Sequence, residues 1–200
     1  PAARRKNWNN FFRVSATMTE NVDREVLQAA LDVTVRRFPS IAVRLRRGTF
    51  WYYLEELSNA PKIRDEKAYP LAYVPFKEVR ECAFRVIVYK KRIAVEFFHA
   101  LTDGNGALTF VKTLVAEYIT QKYGVEIPNE DGVLCRLEAP SDEELEDSFL
   151  KFSGDVRASR SEKTAYHLSG TPEENGFVDI VTLMLSADDV RKKAKEHGVT

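Results

Sequence analysis

The sequence predicts an α+β fold, a two-layer sandwich of mostly antiparallel sheet with helices on one side. Three observations predict it. One strand and one helix open the chain, and two hairpin-like pairs of strands follow, turning at Arg47-Gly48 and Lys90-Lys91. Residues 22–38 and 106–123 carry apolar side chains at helical spacing. Strands and helices do not alternate in the regular way of a parallel α/β sheet.

Residues 10–17 (Asn-Phe-Phe-Arg-Val-Ser-Ala-Thr) are rich in aromatic and β-branched side chains and predict the first strand. The helix over 22–38 is expected to take Asn21 as its cap, with Asp23 and Glu25 complementing the positive N-terminal end of the dipole. Val22, Val26, Ala29, Ala30 and Val33 make its apolar stripe, and Pro39 stops it. Ile41, Val43 and Leu45 then alternate with Ala42, Arg44 and Arg46, as on a strand with one apolar face. Its partner is the aromatic run 49–57. Three prolines (Pro61, Pro70, Pro75) and no sustained period make 59–77 a loop with short extended pieces.

Residues 81–89 and 92–98 form the second hairpin. Cys82, Phe84, Val86 and Val88 share one face, and so do Ile93, Val95, Phe97 and His99. From 106 to 123, Leu108, Val111, Leu114, Val115 and Tyr118 recur at helical spacing until Gly124 ends the run. A short acidic helix is expected over 141–150, then a polar, Ser-rich and mobile crossing segment without pattern. A strand over 177–185 leads to a helix opened by Ser186-Ala-Asp-Asp189 and closed at His197-Gly198.

Composition narrows the function. Two hundred residues allow one large domain or two small ones, and 44% hydrophobic with 30% charged residues is ordinary for a globular core. Thirty basic and thirty acidic residues give a formal net charge of zero, which weighs against a nucleic-acid partner. No apolar run reaches the roughly 18 residues of a membrane span, and no secretory signal opens the chain. Cys82 and Cys135 suggest neither a disulfide framework nor a zinc site, so a reducing, cytoplasmic setting is expected. With Pro1 in first place, a piece trimmed from something longer is expected.

The residues that carry chemistry are Phe97-Phe98-His99-Ala100-Leu101-Thr102-Asp103-Gly104. His99 ends an apolar strand, and imidazole has the unperturbed pKa nearest neutrality, so it suits proton transfer at physiological pH. Asp103-Gly104 marks a tight turn. A lone strand-end histidine is more often simply packed or capped. His167 and His197 lie at no useful spacing for a metal, and no nucleophile elbow accompanies His99.

The run His99-Ala-Leu-Thr-Asp103-Gly104, with the aromatic strand before it and the amphipathic helix after it, resembles the HxxxDG signature of the CoA-dependent acyltransferase superfamily. That superfamily includes chloramphenicol acetyltransferase and peptide-synthetase condensation domains. The resemblance is nearest to bacterial alcohol acetyltransferase-like proteins. Leu185 to Thr200 resembles the strand and helix with which such proteins pass from first lobe to second. The resemblance implies a chloramphenicol-acetyltransferase-like sandwich, with an N-terminal lobe over 1–150, a crossing segment over 151–176, and 177–200 leading to a second lobe that is absent.

It implies that His99 is the general base, taking a proton from a small alcohol or amine as that acceptor attacks the thioester of acyl-CoA or of a carrier-bound acyl group. Acyl-CoA would be a cosubstrate, with no permanently bound cofactor and no metal. Asp103 would hold the turn through an ion pair with Arg44, or with Arg13 as runner-up, and Gly104 would supply a backbone shape that a Cβ would obstruct. Amide-forming condensation domains carry two adjacent histidines, and Phe98 stands at the first position here, which favours the acetyltransferase-like branch. The uncovered second-lobe face leads to an expectation of self-association. The rival reading is an inactive condensation-like binding or scaffolding domain. Of the remaining features, Arg36, Arg37, Arg44, Arg46 and Arg47 are expected to be a solvated strand edge with one buried ion pair rather than a CoA-phosphate site. Trp8, Trp51, Tyr52 and Tyr53 are expected in the core or in cross-strand pairs.

Overall fold

A computed structural model describes residues 10–66, 69–146, 151, 169–171 and 182–199. The chain divides into two compact units, Pro1–Thr164 and Ala165–Thr200.

In the first unit, β1 (Phe11–Thr17) leads to α1 (Arg24–Arg37), then to the hairpin of β2 (Val43–Arg47) and β3 (Tyr52–Glu56). Two short elements follow in the proline-rich loop, β4 (Arg64–Asp65) and α2 (Phe76–Val79). The second hairpin is β5 (Phe84–Tyr89) and β6 (Arg92–Phe98), followed by α3 (Gly104–Tyr123) and the single turn α4 (Asp142–Leu145). The main sheet has the order β1-β6-β5-β4, antiparallel except where β4 meets β5, and β2 and β3 form a separate antiparallel pair. The predicted α+β architecture is the one observed.

Helices α1 and α3 cover one face of the main sheet. Alternation along β6 sends Ile93, Val95 and Phe97 to that face, where they meet Leu27 and Leu31 of α1 and Phe110 and Leu114 of α3. Phe97 sits at the centre, its ring 5.6 Å from those of Phe12 and Phe110. Each buried aromatic of this kind typically contributes about 3–5 kcal/mol against truncation to alanine. The opposite face carries Phe98, packed with Val43, Leu45, Val74, Val79 and Ala83. It also carries Glu96, which is fully buried and bonded to Arg13, Arg85 and the backbone N–H of Leu71.

Several expectations change. Asp23, not Asn21, caps α1: its Oδ1 accepts the N–H groups of Glu25 (3.0 Å) and Val26 (3.2 Å). The buried stripe is Leu27, Ala30, Leu31, Thr34 and Val35, while Ala29 is exposed. The larger Leu27 and Leu31, which the expected stripe left out, pack against the sheet and define the inner face of the helix. In α3 the face is set by Ala107, Phe110, Val111 and Leu114, and Leu108 points outward. Of the two places expected for Tyr52 and Tyr53, the cross-strand pair is the one observed, opposite Arg47 and Arg46; they are not core residues, because the β2–β3 pair buries only its β2 side, at Val43 and Leu45. Trp8 lies outside the described residues.

Helix α4 is shorter than the 141–150 expected, and 147–150 lie outside the described residues, as does the crossing segment apart from Lys151 and 169–171. In the second unit, the described part of the strand expected over 177–185 begins at residue 182 and carries no strand. Helix α5 (Ala187–Glu196) begins at Ser186, whose hydroxyl accepts the Asp189 N–H at 3.3 Å.

Candidate active site

Strand β6 leaves the core at Phe98, and the next residue is His99. The Phe98 N–H donates to the Ala83 carbonyl and the His99 N–H to the Asn10 carbonyl, both at 2.9 Å. The backbone on either side of the imidazole is therefore tied to both neighbouring strands. The His99 ring leans on Phe12, with centroids 4.5 Å apart and planes at 43°. His99 is exposed, and no described residue hydrogen-bonds either ring nitrogen. The strand end thus presents an imidazole that is held on one side and open on the other.

Asp103 closes the loop differently from the expectation. Its Oδ1 accepts the Gly106 N–H at 2.8 Å, and its backbone carbonyl accepts the Ala107 N–H. With φ −86° and ψ −176° it is the N-cap of α3. The carboxylate also sits at the positive end of a 20-residue helix that has no other acid in its first turn. The ion pair with Arg44 does not form. Arg44 bonds Glu55 across the hairpin, together with Arg46, while Arg13 is divided between Glu66 and Glu96. Cross-strand register decides this, because Arg44 lies directly opposite Glu55.

The glycine expectation also moves. A Cβ on Gly104 would meet nothing within 4 Å, whereas one on Gly106 would clash with Thr102 Oγ1. Gly106 is the position where the chain approaches itself closely.

Beside this loop lies a cavity of about 820 Å³. Ala100, Leu101 and Thr102, which follow His99, form part of its wall with Asn105 and Gly106. Phe38, Ile41, Val43, Leu54 and Leu134 supply apolar wall, and Ser40, Thr109 and Glu146 are among its polar lining. Its far rim is an ion pair that sequence reasoning missed. Arg37 is buried, and its two terminal nitrogens each reach a carboxylate oxygen of Glu144 at 2.7 Å. Glu144 also accepts the Ser141 N–H at 2.9 Å, completing a capping box. The Arg37 guanidinium, and then the Ser141 N–H, hold the Glu144 carboxyl below the usual carboxylate range. Arg37 and Glu144 are 107 positions apart, and no local pattern pairs them. The capping of α3 did have a signal, an aspartate just ahead of a helical repeat.

Fold and site together define an α+β sandwich domain presenting an open imidazole where a central strand leaves the core. No family model matches the chain, and no curated protein matches it. Among solved structures, the SgcC5 protein from Streptomyces globisporus aligns at 18% identity with a TM-score of 0.47, over 60% of this chain and 32% of that one. The X-domain from teicoplanin biosynthesis aligns at 15% identity and TM-score 0.48, over 69% and 32%. The starter condensation domain of rhizomide synthetase RzmA aligns at 12% identity and TM-score 0.45, over 61% and 34%. The chain spans about a third of the length of each of these structures.

Proposed function

We propose that this chain carries the N-terminal, histidine-bearing lobe of an acyltransferase, moving an acyl group from acyl-CoA or a carrier thioester to a hydroxyl or amine. The observation that carries the proposal is the exposed His99 ring, backed by Phe12 and free of described hydrogen-bond partners, within His99-Ala-Leu-Thr-Asp103-Gly104. An imidazole nitrogen takes the acceptor's proton while its oxygen or nitrogen bonds to the thioester carbonyl carbon. The C–S bond then breaks, and the thiolate leaves with the sulfur electron pair. A thiol's reference pKa is about 8.5, so this leaving group needs no strong acid. Asp103 takes no part in proton transfer; it anchors the start of α3 and with it the loop after His99. Phe98, where amide-forming condensation domains carry a second histidine, supports an alcohol acetyltransferase-like branch.

The test uses the full-length protein that contains these residues, supplied with acyl-CoA and mixed alcohols and amines, with free thiol as the readout. His99→Ala is expected to lose at least about 100-fold in rate. Because His99 is exposed, the variant is expected to fold normally. Undiminished turnover in His99→Ala would end the catalytic reading, and no thiol release from the wild type with any donor would favour the scaffolding one. These 200 residues alone are expected to turn over poorly, since a second lobe is proposed to supply the other wall of the acceptor site.

A further inference from the structure

The β2–β3 hairpin holds its largest apolar side chains outward. At its apex Phe50 is 87% and Trp51 69% exposed, with ring centroids 6.4 Å apart. The Gly48 N–H donates to the Trp51 carbonyl at 2.7 Å, so these rings sit on a closed turn rather than a loose end. Tyr52 and Tyr53 follow, opposite Arg47 and Arg46. No aspartate or glutamate occurs from residue 43 to 54; Glu55 and Glu56 stand at the other end of the hairpin. Arg44 and Arg46 share Glu55, while Arg47 is exposed and has no carboxylate partner among the described residues. The hairpin is therefore polarised, with aromatic rings and a free guanidinium at its apex and acids at its base.

We infer that this apex docks into a lipid–water interface bearing anionic headgroups. Phe and Trp rings gain by leaving water, and the indole N–H and tyrosine hydroxyls suit the headgroup level. The unpaired guanidinium supplies the complement to phosphate oxygens. A second copy of the chain fits less well. Phe50 and Trp51 offer at most roughly 150–250 Å² each and the half-exposed Tyr52 and Tyr53 about half of that, which together fall short of the ~800 Å² per partner of a stable protein interface. Among the described residues no helix is long and apolar enough to cross a membrane. The inference stands independently of the catalytic reading.

The chain has two tryptophans, so Trp8→Phe leaves Trp51 as the sole reporter. The full 200-residue chain is mixed with vesicles of phosphatidylcholine alone, or with about three parts in ten of phosphatidylglycerol. Trp51 emission is expected to shift to the blue and to resist acrylamide quenching, more so on the anionic vesicles. Phe50→Ser is expected to weaken vesicle binding about tenfold, and Arg47→Glu to abolish the preference for anionic lipid. Both side chains are exposed, and unchanged circular dichroism checks that each variant folds. Unchanged emission with either vesicle would overturn the inference. So would a blue shift that appears on concentrating the protein without lipid, accompanied by a doubling of mass, which would make the apex an interface between copies.

Discussion

Asp103→Ala separates the two roles an aspartate can play beside this histidine. Asp103 is exposed and makes a single side-chain hydrogen bond among the described residues, to the Gly106 N–H at 2.8 Å. Loss of an N-cap of this kind costs about 1 kcal/mol. Loss of a negative charge at the helix N-terminus adds roughly 0.3–1 kcal/mol. The expected total is about 1–2 kcal/mol. For a chain of this size that lowers the midpoint of a thermal melt by about 2–4 °C per kcal/mol. Asp103→Ser keeps the cap and loses only the charge, so it is expected to recover about half or more of the difference. Breaking a buried ion pair would instead cost about 3–5 kcal/mol, and serine would not help. A loss above about 3 kcal/mol, or serine no better than alanine, would refute the capping argument.

Gly106→Ala is expected to cost up to about 2 kcal/mol, the crowding against the Thr102 hydroxyl less the helix propensity alanine gains, and Thr102→Ala in the same chain is expected to relieve it. Gly104→Ala, with open space around the new methyl, is expected to be neutral or to stabilise by up to about 1 kcal/mol; thermal melts of the three variants decide. Glu96→Gln keeps the shape of a fully buried side chain but strips the charge that faces Arg13 and Arg85. A loss of about 3–5 kcal/mol in urea unfolding is expected, and a loss below 1 kcal/mol would show that the arginines find other partners. Glu144 has its carboxyl held low in the folded chain, so its stabilising contribution is present at neutral pH and is lost as pH falls through that lowered value. The protection of the amides over Ser141–Glu144, taken against the intrinsic exchange rate at each pH, is expected to fall in that acid range, and Glu144→Gln should show the weaker protection already at neutral pH.

Much of the secondary structure was legible because period and punctuation are local. The alternation of Val43 and Leu45 with Arg44 and Arg46 marked β2, and Lys90-Lys91 between two apolar runs marked the second hairpin. His99 was legible as a strand-end imidazole for the same reason. The face of each helix was harder to place. The cap of α1 was ambiguous because Asn21 and Asp23 are both capping residue types, and its stripe was displaced because two apolar rows a residue apart, through Val26 and Ala29 or through Leu27 and Leu31, both repeat at helical spacing. The aromatic run at 50–53 carried strand propensity, but propensity does not say whether another layer will cover it.

Sequence by itself determined the α+β class, the two hairpins, the long helix after the motif and the position of His99 at the end of β6. These follow from residues a few positions apart, whose spacing repeats the geometry of helix or strand. The tertiary structure alone decided that Arg44 bonds Glu55 rather than Asp103, that Gly106 rather than Gly104 is the crowded glycine, and that Arg37 closes on Glu144 beside the cavity. Each of these depends on which elements meet and in what register, and ion pairs and close approaches are set by distances of a few ångströms across the fold. The same holds for the His99 ring, which is exposed and packs against Phe12 of the neighbouring strand.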